Sequence, residues 1–394
     1  MDSIKNIYKI GYGPSSSHTM GPQIAAKRFL EKNPDADRFY VELYGSLALT
    51  GRGHLTDYVI KKTLGENRTK VKFDINTSYE YHPNGLKFFA YKDDKEIDSW
   101  LVFSVGGGSL RELGEERSEG KAKVYPHKAM DEILLYCEDE SISLVDYVKR
   151  FDDCTDYLNK VLDVMLDSIN RGLSTSGTLP GSLRLERKAK EFYTKYKQNC
   201  SFSNLMYASA LAVAEENASG GIIVTCPTCG ASGVVPSVIY PQLIINKVPK
   251  EKLVEGLMVA GLIGNIIKYN GSISGAEVGC QGEIGSASSM AASLVAYLVG
   301  GSNKQIEYAA EIALEHHLGL TCDPIDGLVQ IPCIERNAIA ASMAFDSAKY
   351  ACLTDGNHRI SFDYIVGVMK ETGKDLSNKY KETSEGGLAK IIKC

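Results

Sequence analysis

Long apolar runs are missing from this chain. The most hydrophobic window, 253–267, is broken by Glu255 and by glycines and is too short to cross a bilayer, so no membrane partner is expected. The opening Met1-Asp2-Ser3-Ile4-Lys5 carries early charges and no apolar core, which argues against a secretory leader. Surplus positive charge is absent too. Against 44 lysines and arginines stand 49 aspartates and glutamates, a net of −5, and nothing recommends nucleic acid as a partner. There is no long internal repeat and no low-complexity tract. The pair Cys226 and Cys229 has no second Cys-x-x-Cys or Cys/His pair at zinc-ribbon spacing, so it makes a weak case for zinc. Gly106-Gly107-Gly108 has no Gly-Lys-Ser/Thr behind it and reads as a sharp turn rather than a phosphate loop.

What is present is an ordinary globular composition, 44% hydrophobic and 24% charged, in 394 residues, enough for two or three domains. Ten cysteines in a chain without an evident leader point to the reducing cytoplasm, and to metal or catalysis rather than a disulfide framework. The first third alternates in the manner of strands. They are expected over 39–49, 70–76, 86–91 and 97–104, the last two joined by the turn Lys92-Asp93-Asp94-Lys95-Glu96. After Glu138-Asp139-Glu140 the period lengthens. Ser141 or Ser143 can cap a helix beginning at Leu144, and further helices are expected over 157–171, 204–217, 250–267, 305–317 and 334–351. The expected architecture is α+β: an N-terminal mixed α/β domain over 1–140, then a larger all-helical domain over 141–394 whose short Gly/Ser/Thr/Pro loops carry the chemistry.

Two groups of residues stand out. In Gly13-Pro14-Ser15-Ser16-Ser17-His18-Thr19-Met20-Gly21-Pro22, hydroxyls and an imidazole precede a helical stretch. With Gly21 near the N-cap and Pro22 at the first helical position, they would stand ahead of a helix N-terminus, which favours an anion; a plain capped turn is the alternative. Cys280, Cys322 and Cys333 each sit in a turn-forming context at a helix edge (Gly279-Cys280-Gln281-Gly282, Thr321-Cys322-Asp323-Pro324, Pro332-Cys333). Three thiolates make an incomplete cage for a 4Fe–4S cluster, leaving one iron open to act as a Lewis acid. Buried structural cysteines are the competing reading.

Together these segments resemble the bacterial iron–sulfur-dependent L-serine dehydratases, or L-serine ammonia-lyases. Carrying the resemblance, besides those already quoted, are Tyr44-Gly45-Ser46-Leu47-Ala48-Leu49-Thr50-Gly51-Arg52-Gly53-His54, Ser104-Val105-Gly106-Gly107-Gly108, Gly282-Glu283-Ile284-Gly285, Glu315-His316-His317-Leu318-Gly319-Leu320, and Lys379-Tyr380-Lys381-Glu382-Thr383 with Gly386-Gly387-Leu388-Ala389. They run in order through nearly the whole chain. The resemblance implies an N-terminal α/β part fused to a helical part that holds a 4Fe–4S cluster on Cys280, Cys322 and Cys333, with no separate regulatory domain. Cys226 and Cys229 match nothing in the family's pattern.

The implied reaction is β-elimination from L-serine to pyruvate and ammonia. A pyridoxal route is disfavoured, because no Ser-x-Lys lysine with a glycine-rich phosphate cup is found. Ser15, Ser16, Ser17 and Thr19 would grip the substrate carboxylate. His18 would be the base or a hydrogen-bond donor. His54 is the other candidate base, preferred slightly, in a loop, Gly51-Arg52-Gly53-His54, that lets backbone approach a ligand. His316 and His317, ahead of Cys322, are expected to support a ligand from behind or to cap a helix rather than to ligate, and the 174–178 cluster either lines the pocket or is a loop. Cys394 offers a thiol and a carboxylate on one residue, as serine offers a hydroxyl and a carboxylate. Either the tail folds into the site and ligates the open iron, or it ends as a frayed terminus. A homo-oligomer, taken as a dimer, is the expected assembly. The alternatives to a serine lyase are the same elimination on L-cysteine, releasing sulfide, and a non-catalytic iron–sulfur protein that binds an amino acid.

Overall fold

The computed structural model describes residues 1–114 and 123–390. Its first strand, β1 (Ile10–Tyr12), leads through one π-helical turn at Ser16–Met20 into helix α1 (Gly21–Lys32). Gly21 opens α1 beside its N-cap, Met20, with Pro22 in the first turn, as the sequence context suggests. The hydroxyls from Ser16 to Thr19, however, lie in a π-helical turn continuous with the helix rather than in a loop ahead of it. Ser15 is the capping residue, extended at φ −132°, with its Oγ accepting from the His18 N–H at 3.1 Å. The Met20 and Gly21 amides reach back five residues, to the carbonyls of Ser15 and Ser16. This wide register ends where Pro22 has no N–H to offer.

Next come β2 (Arg38–Tyr44), α2 (Ser46–Thr50), α3 (Thr56–Leu64), β3 (Thr69–Asp74), β4 (Gly85–Lys92), β5 (Lys95–Ser104) and β6 (Leu110–Glu112). The five strands from β2 onward form one sheet in the order β3-β2-β4-β5-β6. Only β2 and β3 run parallel, as their connection over α2 and α3 requires; the other neighbours are antiparallel. Alternation chooses the face. Phe39, Val41 and Leu43 of β2 and Leu86, Phe88 and Ala90 of β4 are fully buried, packed with Phe29 of α1 and Ile60 and Leu64 of α3. The strand expected over 39–49 stops at Tyr44. There Gly45 turns at φ +52°, with the Pro83 carbonyl oxygen 2.3 Å from where a Cβ would stand, and α2 begins. The hairpin is as expected but tighter, a two-residue turn at Asp93-Asp94 with both φ positive.

The remainder is helical apart from β7 (Ile222–Val224): α4 (Met130–Asp139), α5 (Leu144–Phe151), α6 (Thr155–Ser174), α7 (Ala189–Asn199), α8 (Phe202–Ala218), α9 (Val234–Ile244), α10 (Lys250–Asn270), α11 (Gly275–Val278), α12 (Ile284–Leu298), α13 (Asn303–Glu315), α14 (Cys333–Cys352) and α15 (Phe362–Asp375). Ser143, not Ser141, caps α5, exchanging hydrogen bonds with Asp146. Helix α12 is buried on every side from Ile284 to Ala296, surrounded by α9, α10, α13 and α14. Its serines make that possible. They are small, and Ser288 and Ser289 donate to the carbonyls of Ala340 and Ala310 on the neighbouring helices. Among the described residues no helix is long and apolar enough to cross a membrane.

The two parts are stitched together by the start of the chain. Ile4, Ile7 and Tyr8 are buried in the helical core, the Met1 ammonium donates to the Tyr125 carbonyl at 2.6 Å, and β1 pairs antiparallel with β7. That pairing sets the turn that follows β1 against the helical part, where the loops around Cys280, Cys322 and Cys333 meet it.

Candidate active site

One small buried cavity collects residues from both parts: Ser15, His54, Cys280, Cys322 and Cys333, together with Glu283 and Glu382. Each arrives by a local device. Cys280 opens a short 3-10 turn between α11 and α12, after Gly279 at φ +75°. Cys333 is the first residue of α14, directly behind Pro332. Cys322 is held by a two-stranded bridge: its N–H donates to the Tyr380 carbonyl at 2.8 Å and its carbonyl accepts from the Glu382 N–H at 2.9 Å. The same bridge carries Glu382 into the cavity. It is locked from outside by Ser384 Oγ on the Pro324 carbonyl and by the Leu388 N–H on Asp323.

The donor set is strongly anionic. Cys280 Sγ, Cys322 Sγ and a Glu283 carboxylate oxygen all lie within 4.8 Å of one another, and Cys322 Sγ is 3.8 Å from Glu283 Oε2. The Cys322 thiol and the nearby Arg336 guanidinium draw Cys280 down to about 6, against the burial that opposes ionisation. Its partners move the other way. The hydrogen bond to Cys280 and burial push Cys322 well up, and burial raises Cys333 and Glu283 and takes Glu382 to about 7. The three thiols share the Arg336 guanidinium, and Glu382 Oε2 has no hydrogen-bond partner, with His18 Nδ1 4.0 Å away. Such a set suits a sulfur-ligated, positively charged metal centre.

The two histidines differ. Their rings lie 4.5 Å apart, and both are buried. Ser46 Oγ donates to the Glu382 carbonyl at 2.9 Å, so it can only accept from His18 Nε2, 3.1 Å away. That assigns the His18 proton to Nε2 and leaves Nδ1 to accept from Ser17 Oγ at 3.0 Å. Both His18 nitrogens are committed, and His18 does not line the cavity. His54 lines it, with Nδ1 unpartnered. Burial holds His54 down at about 4 and His18 well below its ordinary value, so both are neutral at neutral pH.

Of the four hydroxyls singled out in the sequence, only Ser15 faces the cavity. The Thr19 hydroxyl donates to the His54 carbonyl at 2.7 Å and accepts from the Ser15 N–H, and the Ser17 hydroxyl serves His18. Ser16 is buried beside them. Cys226 and Cys229 are buried in separate apolar clusters and do not line the cavity. His316 and His317 turn their Nδ1 atoms back to the carbonyls of Ile312 and Ala313 and cap α13. The 174–178 cluster is a loop away from the cavity, and Gly106–Gly108 is a turn with all three φ positive. Cys394 lies outside the described residues. Sequence reasoning assigned no role to Glu283, Glu382, Ser46 or Arg336. A signal for Glu283 was there: between Lys268 and Lys304 only Glu277 and Glu283 are charged, which is unusual isolation for a carboxylate.

Comparison with known proteins gives a consistent result. A family model described as the serine dehydratase beta chain matches residues 3–70, and one described as the serine dehydratase alpha chain matches residues 74–389. The chain is 38% identical to the L-serine dehydratase of Haemophilus influenzae and 39% identical to L-serine dehydratase 2 of Escherichia coli K12, each alignment covering all of both proteins. It is 38% identical to the L-serine dehydratase of Streptomyces coelicolor over all of this chain and 99% of that one. The join between the two family models, near residues 70–74, falls at β3, inside the five-stranded sheet.

Proposed function

We propose, for a chain that belongs to the serine dehydratase family and converts L-serine to pyruvate and ammonia, that Cys280, Cys322 and Cys333 hold a 4Fe–4S cluster and His54 takes the proton from the substrate's Cα. When bound, the cluster supplies Lewis acidity toward the 3-hydroxyl, which is otherwise a poor leaving group. His54 brings what a proton acceptor needs: a neutral imidazole, an unpartnered Nδ1 and a water-poor cavity. Ser15 Oγ accepts from the His18 N–H and, because Ser17 Oγ gives its proton to His18, directs its own proton at Ser17 Oγ over a long 3.4 Å, a contact that a substrate carboxylate would replace. Ser17, His18 and Ser46 form a hydrogen-bonded brace that holds this turn against the Glu382 backbone. Glu382, which burial raises to about 7, would hold a proton for the departing hydroxyl. Loss of water leaves aminoacrylate, which tautomerises and hydrolyses to pyruvate and ammonia without further help.

The observation that supports this reading is convergence: three cysteines, a neutral histidine and a serine hydroxyl, drawn from both parts of the chain, line one buried cavity. The relatives named above are dehydratases of L-serine, which does not favour sulfide release from L-cysteine or a purely binding role. The test is anaerobic purification with iron, acid-labile sulfide and pyruvate measured on one preparation. The expected protein is brown and loses colour and activity together in air. Colourless protein with full activity would overturn the proposal.

A further inference from the structure

We infer that the groove between α13 and α14 binds a small organic cation, an alkylammonium or diamine, through the buried carboxylate of Glu311 and the ring of Tyr350. The groove is open to solvent along one side and measures about 660 Å³, inside the range of about 300–1,000 Å³ usual for small-molecule pockets, and it shares no lining residue with the catalytic cavity. Nothing about it depends on the lyase reading.

Glu311 carries the argument. It is only 3% exposed, it lines the groove, and among the described residues it has no hydrogen-bond or ion-pair partner. A buried carboxylate in that condition is costly unless a positive charge meets it. Burial and then Glu315 push it up to about 7, with the His358 imidazole pulling the other way without pairing to it and Glu307 adding to the rise. The surroundings repeat the same demand. Glu315 and Asp346 add negative charge to the lining, and it contains no lysine or arginine among the described residues. Its one basic side chain, His316, has Nδ1 turned away to the Ile312 carbonyl at 2.8 Å.

The aromatic lining decides what kind of cation fits. Tyr308 and Tyr350 meet edge to face at 6.2 Å and both line the groove; one face of Tyr308 is covered by the His358 ring, stacked at 4.0 Å, which leaves Tyr350 to receive the cation. Ring faces attract ammonium groups and offer nothing to a hard metal ion. Among the described residues, ligand atoms of three His, Cys, Asp or Glu side chains converge only at Cys280, Glu283 and Cys322, so the groove carboxylates do not form a metal cage.

The experiment is calorimetric titration of putrescine into the anaerobically prepared full-length enzyme. Butanediol of the same chain length serves as the neutral counterpart, and sodium chloride matches the ionic strength. Putrescine should bind saturably and butanediol should not. Glu311→Gln, which keeps shape and removes charge, should weaken binding by about tenfold or more. Tyr350→Leu should weaken it by about threefold to tenfold, and serine turnover should be unchanged in both variants. The inference fails if putrescine shows no saturable binding, if butanediol binds equally well, or if affinity is unaltered in Glu311→Gln.

Discussion

Replacing His54 by glutamine separates the two histidines that the sequence could not rank. The substitution removes the one cavity-lining imidazole and leaves its loop anchored, because Thr19 Oγ1 holds the His54 backbone carbonyl and not its ring. A positioned general base contributes about 10²–10⁴ in rate, or roughly 3–5 kcal/mol of barrier. The expected outcome is therefore a fall of that size in kcat with KM for serine changed little. His18→Gln should behave differently. Both ring nitrogens of His18 are spent on Ser17 and Ser46, so its loss leaves buried hydroxyls poorly paired and costs about 1–3 kcal/mol of stability. The pH profile adds a second readout. With His54 held at about 4, kcat/KM should be lost only as pH falls through that value, well below the ordinary histidine range of about 6.5. The assay is anaerobic pyruvate formation from serine and from Cα-deuterated serine. The reasoning is refuted if His54→Gln keeps kcat within about threefold of the parent while His18→Gln abolishes the isotope-sensitive step.

Cys280→Ala, Cys322→Ala and Cys333→Ala should each abolish visible absorption and turnover, whereas Cys226→Ala and Cys229→Ala, buried outside the cavity, should keep both; iron analysis across the five variants checks this. Ser46→Ala unpairs His18 Nε2 and the Glu382 carbonyl at once and should destabilise by about 2–4 kcal/mol, read as a shift of the denaturation midpoint. Leu294→Ala, at the centre of the fully buried α12, should cost about 2–5 kcal/mol in the same assay without altering KM. Burial raises Glu307 to about 8, so its folded form keeps a proton that the unfolded chain gives up near 4. That contribution is complete below the unfolded value and is lost as pH climbs through 8. Glu307→Gln, which can still accept the Phe362 N–H, should flatten the decline in melting temperature between those limits.

Much of this protein was legible as a one-dimensional pattern. The α+β order, the strand faces of 39–43 and 86–90 and the principal helices follow from periodicity, which is local. Observed boundaries such as Thr155–Ser174 and Lys250–Asn270 lie within three residues of those expected. Turn chemistry was local as well, down to the Asp93-Asp94 hairpin. The three cysteines stood out because turns at helix edges leave thiols free to point at a ligand. Where the expectation slipped, at the end of β2 after Tyr44, a distant group intervened: the Pro83 carbonyl crowds Gly45, where the chain turns at a positive φ.

Sequence by itself therefore determined the elements, their buried faces and the thiols available for a cluster, because each depends on residues a few positions apart. Tertiary structure alone decided which of four hydroxyls faces the cavity, which histidine has a nitrogen to spare, and that Glu382 rides beside Cys322 on a bridge spanning some sixty residues of chain. Hydrogen-bond commitment and loss of solvent are properties of what surrounds a group in space, and no spacing along the chain encodes them.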